Sequence, residues 1–217
     1  MDKKKSEGLT VRQDLAKMLF MNMRRELPIF SLEIVDDMSS DVEVDMVSLV
    51  DRPAIDKAFL MFRDKMAFEV QDEEQHIISG PLMLSETPIY RSDSNGEYYV
   101  VFSADTIKQI AQKFFKKGYQ ANVNLMHDSG KILQGLTMFE SWITDEKRGI
   151  LPMKGFNDVP DGSWFGSFKV DNAEVWQMIK EGQVKGFSVE GVFNYRKTGL
   201  KEMQMWEQIV EILEQVK

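Results

Sequence analysis

The side chains best suited to acid–base chemistry in this sequence are its two histidines, His76 and His127. Imidazole is the group that most readily takes a proton from a serine hydroxyl near neutral pH, so a search for a catalytic base has two starting points. His127 follows the apolar run 123–126, at a junction of predicted strand and turn where a rigid element can hold a side chain open to substrate. His76 follows the acidic stretch 72–75, which predicts an exposed imidazole. From context alone, a surface histidine that hydrogen-bonds locally is the commoner explanation of His127.

The candidate nucleophile is Ser188, which lies between Gly186 and Gly191 in a segment otherwise suited to a strand. The glycine two positions earlier removes side-chain bulk where a substrate backbone could approach. Glu190 comes two residues after the serine, so in a strand its carboxylate shares the face of the Ser188 hydroxyl and could orient an imidazole. A structural serine and an exposed strand glutamate fit the same residues, because Gly-x-Ser alone is too common to identify an enzyme.

Other kinds of catalytic site find little support in the sequence. The absence of cysteine excludes thiolate nucleophiles, disulfides and cysteine-based zinc sites. There is no His-x-x-x-His pair, no acidic loop of the calcium-binding kind and no glycine-rich phosphate-binding loop. We therefore predict neither a cofactor nor a bound metal.

The length and composition indicate a protein with one domain in an aqueous environment. Its 217 residues, 43% of them hydrophobic, can build one sizeable core. The formal net charge of −8 repels nucleic acid at long range, so we expect no nucleic-acid partner. No signal-peptide pattern follows Met1–Lys5, and no stretch approaches the roughly 18 consecutive apolar residues of a membrane helix. We expect a soluble intracellular protein without a membrane partner.

Periodicity predicts an α+β chain in which strands position the candidate residues. The strand-like segments are 29–35, 42–50, 68–70, 76–84, 98–102, 122–126, 132–144, 164–170 and 184–195. The stretch between Leu84 and Tyr98 reads as a loop with Pro88 and a turn at 94–96. Predicted helices begin at the caps Ser103 and Asn172, and two more occupy 10–26 and the tail 200–216. His127 thus stands at the end of a strand, and Ser188 lies within one.

Three pieces of the sequence, taken in order, resemble a known family. They are Asn124-Leu125-Met126-His127-Asp128, the strand 132–144, and Gly182-Gln183-Val184-Lys185-Gly186-Phe187-Ser188-Val189-Glu190-Gly191. Together they are similar to the phage prohead proteases, in particular their XkdF-like branch of phage serine proteases, over about 42–193. The resemblance implies that His127 is the catalytic base and Ser188 the nucleophile, because relatives carry these residue types in this order.

A further match is Val47-Ser48-Leu49-Val50-Asp51-Arg52-Pro53-Ala54, which resembles a segment that follows the catalytic serine in many prohead proteases. Here it comes first, as though the chain were circularly permuted. Relatives carry a candidate catalytic glutamate just before this segment, and the corresponding position here is Met46. Asp45 is next to it but, by strand alternation, points to the opposite face. The third catalytic residue is therefore open between Glu190, which we favour, and Asp45.

The resemblance also implies a fold and a biological role. The fold is a mixed, mainly antiparallel β-barrel surrounded by helices, as in herpesvirus maturation proteases. We divide the chain into an N-terminal helical extension (1–28), the protease domain (29–197) and a C-terminal helix (198–217).

The implied substrates are scaffold protein, the major capsid protein and the protease itself, cleaved in the host cytoplasm inside the immature phage procapsid. A homo-oligomer is compatible with this role. The alternative is a catalytically silent module of the same fold that binds scaffold or shell protein.

Overall fold

The computed structural model describes residues 27–51, 67–94, 96–128, 130–157 and 159–198. These residues form eleven strands and two α-helices, with short 3₁₀ turns between them. The α+β class expected from periodicity is therefore confirmed. The predicted helices at 10–26 and 200–216 lie outside the described residues.

The first sheet joins both ends of the described chain in the order β11-β1-β6-β5. Its strands are β1 (Ile29–Glu33), β5 (Ile89–Asp93), β6 (Gly96–Val101) and β11 (Asn194–Lys197). β1 runs parallel to β6, and the other two pairings are antiparallel. Strand β5 replaces part of the loop predicted between Leu84 and Tyr98, because residues 89–93 pair antiparallel with β6 directly after Pro88.

The second sheet is the smallest and carries the candidate site. It contains β2 (Val44–Val50), β7 (Val123–Leu125) and β10 (Gly186–Gly191), in the order β10-β2-β7. β2 pairs antiparallel with β10 and parallel with β7. The central strand β2 thus links two segments that are far apart in sequence.

The third sheet is entirely antiparallel, in the order β3-β4-β9-β8. Its strands are β3 (Glu69–Asp72), β4 (Ile77–Met83), β8 (Leu136–Ile143) and β9 (Trp164–Val170). β9 matches its predicted bounds, whereas the predicted strand 132–144 is shorter in the structure and begins only at Leu136. The aromatic side chains of Trp164, Phe165 and Phe168 are fully buried and form much of the core.

The expected closed β-barrel is not found among the described strands. Their pairings are mixed and mainly antiparallel, as expected, but they form three separate sheets. The second and third sheets meet at an isolated bridge between Ala67 and Gly186, beside the hydrogen bond from Phe68 N–H to the Lys185 carbonyl. Elsewhere they meet through side chains, such as the Phe168–Phe187 ring contact at 4.8 Å. Packing rather than a continuous hydrogen-bond ladder joins them, so the barrel prediction is not confirmed.

Both helices begin at the caps expected from the sequence. α1 (Ala104–Lys116) starts after Ser103, whose side chain accepts from Thr106 N–H, and α2 (Ala173–Lys180) starts after Asn172, whose side chain accepts from Val175 N–H. These bonds satisfy amides that the first helical turn leaves without partners. Phe114 then packs edge-on against Trp164 with ring centroids 5.5 Å apart, which seats α1 on the core.

A buried ion pair ties the end of α1 to the start of β2. Lys113 is 2% exposed, and its Nζ lies 2.9 Å from Oε2 of Glu43. The same ammonium donates to the carbonyls of Val35 (3.0 Å) and Ser40 (2.9 Å), so three oxygen atoms surround it. Glu43 is also contacted by Lys117. This Glu43–Lys113 clamp fixes the turn between β1 and β2.

The described residues from Ile29 to Thr198 form one compact unit. Neither described helix has the length and apolar character needed to cross a membrane. The division of the chain at residues 28 and 198 stays a prediction, because the predicted terminal helices fall outside the described ranges.

Candidate functional site

Ser188 lies near the middle of β10, in a row of three polar residues that crosses the second sheet. Ladder register places it opposite Ser48 on β2, and Ser48 opposite Asn124 on β7. Residues in register point to the same face of a sheet, so the three side chains share one face. All three are buried, with Ser188 4% exposed and the other two fully enclosed. Within the described part of the chain, the Ser188 hydroxyl has no hydrogen-bond partner.

His127 is presented by a tight turn directly after β7. Met126 and His127 both have positive φ, 52° and 62°, a backbone conformation that residues other than glycine rarely adopt. Three successive amides anchor this turn. Met126 N–H donates to the Leu49 carbonyl (2.9 Å), His127 N–H to Ser48 Oγ (2.9 Å), and Asp128 N–H to the Leu125 carbonyl (3.0 Å). Such strain persists only where the surroundings fix it, so β2 holds the histidine backbone in place.

Glu190 contacts the histidine. Its Oε1 lies 3.3 Å from Nδ1 of His127, and the same oxygen accepts a hydrogen bond of 2.6 Å from Nδ2 of Asn124. A carboxylate at Nδ1 favours the tautomer in which Nε2 carries the lone pair, which is the form that accepts a proton from a serine. The side chains of His127 and Glu190 are 47% and 21% exposed, so the pair opens to solvent on one side.

Glu190 lies opposite Met46, the position at which the similar prohead proteases carry a glutamate. Glu190 is paired in register with Met46, so the two side chains lie side by side on the same face of β10 and β2. Asp45 is the extra residue of a β-bulge between Met46, opposite Glu190, and Val44, opposite Gly191, so strand alternation does not fix its face. No described contact joins its carboxylate to His127. Partial burial, together with the charges of Glu43 and Glu190, raises the pKa of Asp45 above its ordinary value.

A cavity of about 440 Å³ brings Ser188, His127 and Glu190 together. No hydrogen bond joins the Ser188 hydroxyl to the imidazole among the described residues, and in enzymes without substrate such bonds are commonly long. Five consecutive residues of β10, from Phe187 to Gly191, line this cavity. Because alternate strand residues point to opposite faces, a run of five shows that the cavity follows the edge of the strand.

The ladder also fixes which backbone groups of β10 face that edge. Val47 N–H donates to the Asn122 carbonyl, and the Leu49 carbonyl accepts from Met126 N–H. The backbone N–H and carbonyl groups of these two β2 residues therefore point toward β7. Ser48 therefore turns toward β10 and forms the hydrogen-bonded pair with Ser188. It follows that Val189 points its N–H and carbonyl away from β2. Beyond Gly186, no described strand pairs with this side of β10.

The structure corrects one interpretation and adds two residues. Gly186 is buried and bridged to Ala67 where two sheets meet, and it is not among the residues that line the cavity. Ser48 accepts from the His127 amide and Asn124 donates to Glu190, two roles that the sequence pattern does not predict. Their only local signal is a polar residue inside an apolar strand, Val-Ser-Leu-Val and Val-Asn-Leu.

A comparison with protein families identifies one match. Residues 66–196 match the family described as "Putative phage serine protease XkdF". This range includes His127, Ser188 and Glu190, while the segment 47–54 lies before it. Comparisons with curated proteins and with solved structures give no significant match. The family match spans more than half of the sequence, and the chain therefore belongs to the family of phage serine proteases described by that name.

Proposed function

We propose that this phage protease is an endopeptidase that matures the immature head, cleaving scaffold protein and the major capsid protein inside the procapsid. In this proposal Ser188 is the nucleophile, His127 the general base and Glu190 the residue that orients the base. The observation that carries it is the contact of Glu190 with Nδ1 of His127 at the rim of the cavity that Ser188 lines. Self-cleavage and assembly into a homo-oligomer belong to the same proposal.

The chemistry proceeds in two steps. His127 Nε2 takes the proton from Ser188 Oγ as that oxygen attacks the peptide carbonyl, and the imidazolium then gives the proton to the leaving amine. Water attacks the resulting ester with the same imidazole as base, which releases the new carboxylate and restores the serine. A positioned base contributes about 10²- to 10⁴-fold to such a reaction.

The edge of β10 offers a place for the substrate main chain. Val189 presents an N–H and a carbonyl to the cavity, and an extended peptide lying beside this edge could pair with them as an added strand. The Val189 amide directly follows the nucleophile, so it is also the candidate donor to the oxyanion that forms during attack. This arrangement requires no group other than the chain's own residues.

The fold relation is a separate part of the proposal. We propose that the three sheets correspond to a permuted and opened version of the barrel of herpesvirus maturation proteases, with the 47–54 segment moved to the front. Support comes from the antiparallel pairing of β2 with the strand that carries Ser188. An experimental structure superposed on that fold, strand by strand, tests the relation.

The experiment that tests the function uses the full chain co-expressed with its scaffold and capsid proteins. A serine-directed fluorophosphonate should label Ser188, and mass spectrometry should find cleaved scaffold and a shortened capsid protein. Ser188→Ala should abolish both signals while changing stability by less than about 1 kcal/mol, since a single hydroxyl is lost. Retained cleavage by folded Ser188→Ala would exclude Ser188 as nucleophile. Scaffold binding without labelling or cleavage would favour the silent assembly module.

A further inference from the structure

Arg91 places a positive charge in the wall of the same cavity. It lies on β5, whereas Ser188 lies on β10 in another sheet, and both residues line the cavity. Arg91 is in register with Tyr98 on the neighbouring strand, so both side chains face the same side of the first sheet. Arg91 is therefore one of the residues that a peptide bound in this cavity would meet.

This guanidinium has no carboxylate partner among the described residues. Its one described hydrogen bond is a long contact of 3.4 Å from Nη1 to the Tyr90 carbonyl. The carboxylate of Asp93, two residues away on the same strand face, accepts a hydrogen bond of 2.8 Å from the Tyr98 hydroxyl. Glu190, the acid of the cavity, is already engaged by His127 and Asn124.

The surroundings of Arg91 make a new anionic partner favourable. Burial lowers the pKa of Arg91, and the nearby tyrosines Tyr195 and Tyr98 partly offset this lowering. The guanidinium is therefore partly desolvated. Apolar side chains, including Leu84, Phe102 and Phe193, line the rest of the cavity. The net charge of −8 opposes an acidic peptide only at long range, and salt screens that repulsion beyond about 8–10 Å.

We propose that Arg91 determines specificity by binding an acidic side chain of the substrate near the bond to be cleaved, beside an apolar side chain that enters the cavity. Arginine suits this task because its planar guanidinium can bind a carboxylate through two parallel hydrogen bonds. The inference rests on the proposed protease function, since it names the substrate class of that same cavity.

The test separates recognition from chemistry. Full-length Ser188→Ala is probed with an immobilised library of peptide pairs that differ only by Glu or Gln at one position. Full-length wild type is incubated with a denatured whole-cell proteome, and the new termini are mapped by mass spectrometry. We expect the Glu peptides to bind about 10- to 100-fold more tightly than the Gln peptides, as a hydrogen bond to a charged group supplies. We also expect enrichment of Asp or Glu within three residues of the cleaved bonds.

Charge reversal gives the decisive comparison. Arg91→Glu should lose the preference for Glu and bind Lys peptides better than Gln peptides, whereas Arg148→Gln, which changes an exposed arginine in a distant loop, should keep the native preference. An unchanged Glu preference in Arg91→Glu, or equal use of Glu and Gln peptides by the wild type, overturns the inference. Charge-selective binding without any cleavage would instead contradict the proposed protease function and leave the role of Arg91 standing.

Discussion

At the scale of single residues, the candidate site places nucleophile and acid on one strand. Ser188 and Glu190 are two positions apart on β10, and His127 reaches them from the turn after β7, with β2 between the two strands. Strand alternation alone predicts that Ser188 and Glu190 share a face. It does not predict the contact with His127, because that contact depends on the order of the strands in the sheet.

The orienting acid can be identified by comparing two isosteric amide variants. Glu190→Gln should lower kcat by orders of magnitude, up to about 10⁴-fold, because an amide no longer favours the tautomer that accepts the serine proton. Asp45→Asn should leave the rate near normal, since the described carboxylate contact of the imidazole is with Glu190. Single-turnover cleavage of a peptide substrate, after folding has been checked by circular dichroism, measures both rates. Near-normal turnover in Glu190→Gln with a slow Asp45→Asn would assign the acid to β2 instead.

Asn124 is expected to act as a positioning residue. Its Nδ2 donates to the oxygen of Glu190 that contacts His127, and the side chain is fully enclosed. Asn124→Leu keeps the approximate volume but removes this donor, so kcat should fall about 10- to 100-fold while KM stays near the native value. The matched control is Asn122→Leu, which removes an amide that donates to the Asp45 carbonyl. Equal kcat for both variants would show that the Asn124 bond has no influence on the chemistry.

At the scale of elements, the Glu43–Lys113 clamp couples stability to pH. Burial alone would raise the pKa of Glu43, but hydrogen bonds from Lys117, Lys113 and Tyr119 outweigh it and hold the pKa below the ordinary value of 4.5. A carboxyl whose pKa is lower in the folded than in the unfolded state contributes stability above its unfolded pKa. That contribution is lost as the pH falls through the folded pKa.

The free energy of unfolding should therefore decrease when the pH is lowered from about 5 to 3, and Glu43→Gln should flatten this decrease. At pH 7 the same variant should be less stable by about 3 kcal/mol, because Lys113 stays buried without its anionic partner. Urea denaturation at a series of pH values measures both effects. Glu33→Gln, which breaks the exposed pair with Arg196, serves as control and should cost less than about 1 kcal/mol. A Glu43→Gln protein with the native pH profile would contradict the assignment.

The elements that could be predicted from sequence are those whose signals are local. The caps Ser103 and Asn172 predict the starts of the two described helices, because each capping side chain accepts from an amide only three residues later. β5 was not predicted, because apolar and polar residues do not alternate clearly over its five positions. Its pairing with β6 stabilises it instead. The closure of a sheet into a barrel has no local sequence signal, so the barrel prediction rested on the family resemblance alone. The described strands form three sheets instead.

At the scale of the whole molecule, the two terminal segments are expected to serve assembly rather than chemistry. The matched family range, 66–196, contains the entire candidate triad and excludes both segments. Deleting 1–28 or 198–217 should therefore preserve fluorophosphonate labelling of Ser188 within about twofold, while changing oligomeric state or incorporation into procapsids. Light scattering and copurification with procapsids measure these properties. Unchanged assembly after both deletions would remove the proposed role of the segments.

The strand order of the second sheet also has a consequence during synthesis. β2 leaves the ribosome early, but its partner β10, which carries both Ser188 and Glu190, emerges more than a hundred residues later. At about 5–20 residues per second, the growing chain is without its candidate nucleophile for on the order of ten seconds, and the sheet cannot close before then. Under the proposed function, neighbouring nascent proteins therefore meet no active protease while this chain is being made. Under that function, the order of synthesis delays the onset of proteolysis, because the candidate site is completed only by the tenth of the eleven described strands.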